Sequence, residues 1–181
     1  MKISVHKNPY IYSCHMYMVR GSWNAIVDVN TLIDPGTDKF ILDDIADLST
    51  GVGKRKIEQV ILTHEHFDHS GGLKWVIEEY NPKVYAFSKI KGVSHQLRDG
   101  MHLRIGDRDA LIIHAPGHSH DSILIYVEED GTLFSGDTPL TIKSPGGTYI
   151  RPYVNVLERL TRLEIIYIYP GHEDPITRDA K

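Results

Sequence analysis

Residues 64 to 69 read His-Glu-His-Phe-Asp-His. Three imidazoles and a carboxylate this close together offer the neutral nitrogens and anionic oxygen that zinc, iron and manganese accept as ligands. A polar turn that happens to gather histidines is the alternative. With 11 His in 181 residues, shuffling would give such a run in roughly 0.003 of chains, so the motif is a strong signal. Its flanks fit a ligand loop. Val60, Ile61 and Leu62 are a short apolar run before it; Ser70, Gly71 and Gly72 follow and lead into Leu73, Val76, Ile77 and Tyr80, spaced i, i+3, i+4, i+7. The spacing predicts strand, loop and amphipathic helix, with the glycines letting the backbone fold tightly beneath a metal.

Three further apolar runs end in small turns that each carry one metal-competent residue. Leu111 to Ile113 lead to Pro116, Gly117 and His118; Thr132 to Phe134 lead to Gly136 and Asp137; Ile165 to Ile168 lead to Pro170, Gly171 and His172. Singly, each reads as an ordinary turn residue. Together with the first run they supply seven candidate ligands on four strand ends, too many for one tetrahedral ion. One division gives His64, His66 and His118 to a first ion and Asp68, His69 and His172 to a second, with Asp137 bridging and a shared hydroxide between ions about 3.5 to 4 Å apart.

The chain resembles the metallo-β-lactamase superfamily in Thr-His-Glu-His-Phe-Asp-His-Ser-Gly-Gly from Thr63, Ala-Pro-Gly-His from Ala115, Ser-Gly-Asp-Thr from Ser135 and Pro-Gly-His from Pro170. The resemblance implies the same division of ligands. It also implies an α/β (α+β) four-layer αβ/βα sandwich, with two mixed β-sheets face to face, helices on the outer faces and the metals at one edge. Two zinc ions are the expected cofactors, iron and manganese being the other candidates.

Composition bounds the rest. The length fits a single domain over 1–181, and a net charge of −4 gives no electrostatic case for nucleic acid. No apolar run reaches the length of a membrane span or of a signal peptide near Met1, so the expectation is a cytoplasmic protein acting on a small-molecule substrate, with no membrane and an open oligomeric state. Cys14 reads as a half-buried strand thiol within Ile11 to Val19, not a nucleophile. Strands are expected near Ile3 to His6, Tyr12 to Arg20, Trp23 to Val29 and Thr31 to Ile33. A helix with Ile41, Ile45 and Leu48 on one face follows the Asp34-Pro35-Gly36 turn, which reads as structural. Met101 to Ile105 and Ala110 to His114 form a hairpin, and a last helix carries Val156, Leu157, Leu160 and Leu163. His120 competes with His118 for a ligand role, but the superfamily pattern places the ligand directly after Pro-Gly. His6, His15, His95, His102 and His114 read as packing, supporting or surface residues. Lys143, Tyr149, Arg151 and Tyr153 are candidates for the cleft border, with solvated loop positions as the plainer reading.

Zinc lowers the pKa of its water to about 7, so a hydroxide bridging the dinuclear site is a nucleophile at neutral pH, with Asp68 orienting it and handling its proton. The reading is therefore a metal-dependent hydrolase of a small thioester, lactone or carboxylic ester. Asp137 stands where some β-lactamases place a cysteine ligand, which disfavours them. Glyoxalase II is similar in its ligand set, yet only nine residues follow His172, so glutathione thioesters are expected to be poor substrates. The alternatives are an oxidoreductase of the persulfide dioxygenase type, with one iron on His64, His118 and Asp137, and an inactive metal-binding scaffold.

Overall fold

Alternation along the strands sorts apolar side chains onto two faces, and that sorting builds the layers. The computed structural model describes residues 1–140 and 149–177. One sheet holds β1 (Lys2–His6), β2 (Met16–Arg20), β3 (Thr31–Ile33), β4 (Gln59–Ile61), β5 (Lys83–Ala86) and β6 (His95–Gln96), hydrogen-bonded in that order. Its first two pairings are antiparallel and the rest parallel. The other sheet runs β11 (Tyr167–Pro170), β10 (Thr132–Gly136), β9 (Ile123–Val127), β8 (Arg108–His114), β7 (His102–Ile105), parallel only between β10 and β11. Both sheets are mixed, as expected.

Tyr17, Val19, Ile33 and Ile61 point inward to meet Ile112, Ile125 and Phe134 of the second sheet, all buried between the sheets. Their sequence neighbours Met16, Met18, Leu32 and Val60 point outward to α1 (Phe40–Asp44) and α3 (Leu73–Tyr80). On the far side Ile113, Leu124, Leu133 and Ile168 pack on Val156 and Leu160 of α4 (Arg151–Leu160). Each fully buried aliphatic side chain contributes on the order of 1.5–3 kcal/mol. That burial, not the five-residue α1, secures the layers, because isolated helices so short are unstable in water. Among the described residues no helix is long and apolar enough to cross a membrane.

Topology brings the ligand loops together. β8 and β10 each run antiparallel to β9, and β10 runs parallel to β11. All three therefore point the same way, and the loops after them leave one edge of the sheet. The loop after β4 meets that edge from the other sheet, where Ile123 N donates to Thr63 O at 2.9 Å and His15 N donates to Gly171 O at 2.6 Å.

Several expectations are corrected. Trp23 to Val29 is not a strand: Trp23, Ile26 and Val27 are 91%, 88% and 73% exposed. Asn24 adopts φ 51°, and Asp28 folds back to accept from Ala25 N at 2.7 Å, so turn chemistry overrides the apolar run. β2 begins only at Met16. Cys14 precedes it and is fully buried, not half-buried in a strand. The last helix ends at Leu160, leaving Leu163 beyond it although packed on the same cluster. Gly71 and Gly72 do stand where a Cβ would clash, as expected: on Gly71 it would meet Thr37 O at 2.4 Å, and on Gly72 Pro35 O at 2.5 Å.

Candidate metal centre

The run from His64 crosses from strand to helix, and that change of direction spreads its ligands. His64 follows β4, His66 caps the single turn α2 (Phe67–Ser70), and Asp68 and His69 lie within that turn, both buried. The structure gathers His64, His66 and His118 so that one nitrogen of each lies within 4.8 Å of the others. His66 Nδ1 and His118 Nε2 are 3.0 Å apart. Asp68, His69, Asp137 and His172 form a second group by the same measure. There His172 Nε2 is 3.0 Å from Asp68 Oδ2, and His69 Nε2 is 3.2 Å from Asp137 Oδ1. Asp137 Oδ2 reaches both groups, 3.5 Å from His118 Nε2 and 3.4 Å from His172 Nε2. All seven residues singled out in the sequence thus meet at one edge of the sandwich.

Buried polar atoms normally find partners, and leaving one without costs about 1–3 kcal/mol. Among the described residues, His64 Nε2, His69 Nε2 and Asp137 Oδ1 are buried with no hydrogen bond. The last two face each other without hydrogen-bond alignment. Imidazole nitrogens and a carboxylate oxygen gathered this closely and left without hydrogen bonds are what a divalent cation accepts in place of a proton, so the residues present fit one.

Charge distribution agrees. Burial pushes His64 down to about 4, and the neighbouring His69 adds to the shift, so this ring is neutral and free to ligate. Burial also lowers His118. It opposes ionisation of Asp137, yet His69, His172 and His64 together hold that carboxyl down to about 2. Burial likewise opposes charge on His69, but Asp34 and Asp137 outweigh it and hold the imidazolium well above the usual range. A field that favours a proton on His69 also favours a metal cation.

Asp34 is the position beside the candidate ligands that sequence reading undervalued. It is 2% exposed, accepts from Thr63 N at 2.8 Å and Thr63 Oγ1 at 2.6 Å, and lies 2.8 Å from His69 Nδ1. Holding Nδ1 leaves Nε2 directed at Asp137, the usual way a carboxylate orients a metal-ligating histidine. Its only sequence signal was an aspartate at a strand end before Pro-Gly, which also describes an ordinary turn. Cys14 lies behind the same ring, and burial raises its thiol to about 12.

The other candidates fall outside the two groups. His120 approaches Ser88 Oγ at 3.5 Å and neighbours Glu65 and Asp121. His114 stacks on Phe87, centroids 3.9 Å apart, and reaches His120 O at 2.8 Å. His6 pairs with Asp44 at 2.5 Å. Tyr153 is no solvated loop residue: it is 4% exposed on α4 and donates to Pro139 O. Arg151 is exposed at the start of α4, Tyr149 packs on Tyr153, and Lys143 lies outside the described residues.

A cavity of about 240 Å³ opens beside the ligands, with His118, Asp137 and His172 at one end and Leu140, Ile168 and Ile176 at the other. On another side of His172, Tyr12 stacks against the ring at 5.1 Å and neighbours Phe67 at 6.3 Å; these aromatics are 66% and 65% exposed.

A sequence model of the metallo-beta-lactamase superfamily matches residues 11–172. The chain belongs to that superfamily. Among curated superfamily relatives, an atrochrysone carboxyl ACP thioesterase of Aspergillus fumigatus is 27% identical over 174 residues, covering 89% of this chain and 41% of that protein. A hydroxyacylglutathione hydrolase of Rhodopseudomonas palustris is 30% identical over 125 residues, covering 65% of this chain and 49% of that one. The chain thus spans about half the length of these relatives. Among solved structures, TTHA1623 in a di-iron-bound form superposes with a TM-score of 0.70 at 23% identity, covering 98% of this chain and 94% of that one. The superposition shows the shared fold, as the resemblance implied.

Proposed function

We propose that this chain is a metal-dependent hydrolase of acyl thioesters, acting as a single domain, with lactones and small carboxylic esters as related substrates. His64, His66 and His118 would hold one divalent ion, and Asp68, His69 and His172 a second, with Asp137 shared. The observation that carries this reading is the pair of ligand groups that meet at Asp137, with three buried ligand atoms that make no hydrogen bond. Two such ions, zinc by preference, would acidify a water toward a pKa of about 7 and polarise an acyl carbonyl. Thioesters come first because both relatives carry names for releasing an acyl group from a thiol carrier.

The chain's own groups divide the remaining work. Asp137, held ionised down to about 2, keeps no proton at neutral pH and acts as a fixed anion. Asp34 and Thr63 hold His69 in its tautomer. Asp68 orients the attacking water and takes its proton. The water oxygen bonds to the carbonyl carbon, the carbon–sulfur bond breaks, and the proton passes to the departing sulfur. The products are a carboxylic acid and a thiol.

The test is elemental analysis of protein purified without added metal, followed by turnover on thioesters, lactones and phosphodiesters. Two ions per chain and thioester cleavage are expected. One equivalent of iron, with oxygen uptake on a persulfide, would replace this reading with an oxidoreductase.

A further inference from the structure

The site has two apolar surfaces of unlike shape, separated by His172. One is the half-open cavity ending at Leu140, Ile168 and Ile176; the other is the exposed aromatic pair Tyr12 and Phe67. A thioester also has two unlike parts, an acyl chain and a carrier thiol. We infer that the cavity receives the acyl chain, an unbranched or branched aliphatic group of about four to six carbons, while the carrier lies outside across Tyr12 and Phe67. This assignment rests on the thioester hydrolase reading.

Size argues first. An apolar cavity of roughly 150 Å³ admits a benzene ring, so one of about 240 Å³ admits a short acyl chain but not a peptide or protein carrier. Chemistry argues second. No lysine or arginine lines the cavity among the described residues, so nothing there would hold an anionic carrier, whereas Leu140, Ile168 and Ile176 suit methylenes. Placement argues third. The metal-ligand candidates His118, Asp137 and His172 form the polar end, so a chain lying in the cavity sets its carbonyl carbon at their edge. The exposed aromatic pair has area for a larger group and no far wall to exclude it.

Ile176 allows a clean perturbation. It is 43% exposed, and its backbone pairs with Ile168 through two 2.9 Å hydrogen bonds. A larger side chain can therefore fill the apolar end of the cavity without breaking the ladder or touching a candidate ligand. The experiment measures kcat/KM for acetyl to dodecanoyl thioesters of one thiol, with wild type and Ile176→Trp. In parallel, methyl and aromatic-ring chemical shifts of the zinc-loaded protein are followed during titration with hexanoate. For wild type, kcat/KM should rise roughly fourfold per methylene to about six carbons and then level off. Ile176→Trp should lose at least about tenfold on hexanoyl while staying within about twofold on acetyl. Hexanoate should shift the methyls of Leu140, Ile168 and Ile176.

A flat chain-length series, or equal loss on acetyl and hexanoyl, overturns the assignment while leaving the hydrolase reading intact. Absence of any thioester turnover, with hexanoate still shifting those three methyls, removes the hydrolase reading and keeps the cavity as an aliphatic site. Ring shifts at Tyr12 and Phe67, with those three methyls unmoved, would reverse the two surfaces and overturn the proposal.

Discussion

At the scale of single residues, the groups around the candidate centre act through charge as much as shape. Asp68→Asn keeps the side-chain outline but removes the anion beside His172 Nε2. Loss of one aligned electrostatic partner costs on the order of 10² in rate, so kcat should fall by about that factor or more while the melting temperature barely moves. Near-normal turnover with two ions bound would leave Asp68 a turn residue. Asp34→Asn probes the layer behind. Asn can still accept from Thr63, but it cannot offer a charge to His69 Nδ1, and such supporting carboxylates typically contribute 10- to 100-fold in metal affinity. Competition against a chromogenic chelator should show weakening of that order. A lowered melting temperature with unchanged affinity would make Asp34 purely structural. The contrast between these two aspartates shows what a sequence reveals of a site. Asp68 stands among three histidines and declares itself, whereas Asp34 acts on a ring 35 positions later, a relation that only the folded chain creates.

At the scale of elements, the ligand turns have to pack closely against one another, and the glycine after β11 permits it. A Cβ on Gly171 would lie 2.0 Å from Asp137 Oδ1 and 2.9 Å from His69 Cε1. Asp137 must yield, because both ends of its carboxylate already face histidines. Gly171→Ala should therefore reduce bound metal toward one ion per chain, measured by elemental analysis, and cost on the order of 1–3 kcal/mol of stability from the overpacked site. Retention of two ions would show that the loop after β11 gives way more easily than its contacts indicate. Elements with a regular period were legible in the sequence. α3 showed its apolar face at Leu73, Val76, Ile77 and Tyr80, and the β7–β8 hairpin its turn at Gly106 and Asp107. The Trp23 to Val29 segment misled because its apolar residues imitate a strand, while the deciding contact is a side chain folding back to its own backbone at Ala25. Pairing partners were equally hidden, since nothing local states that β10 lies between β9 and β11. The ligand loops were found through their residue types, but their meeting at one edge follows from that strand order.

At the scale of the whole molecule, gathering so many imidazoles and carboxylates couples stability to protons and to metal. His64 is held down to about 4 from an ordinary value of 6.5, and burial lowers His118 as well. In the unfolded chain both rings take up protons as pH falls through 6.5, while the folded protein resists until His64 charges near 4. The unfolded state then binds more protons, so stability falls with falling pH across that window. Asp137 acts in the same direction below it. Its carboxyl titrates at 3.8 when unconstrained and at about 2 in the fold, so the stability from its ionised form is present above 3.8 and lost as pH falls toward 2. His69 does not oppose either trend, because below 6.5 its ring is protonated in both states. Zinc at 100 times its dissociation constant would add about 2.7 kcal/mol, or about 5–11 °C for a chain of this size. That gain requires neutral imidazoles and disappears over the same acidic range. Melting temperatures of chelator-treated and zinc-loaded protein between pH 4 and 8 should therefore both fall below about pH 6.5 and converge toward pH 4. Parallel curves with a constant zinc increment would show that the stabilising ion binds away from His64 and His118, and would send the search for the metal centre elsewhere on the molecule.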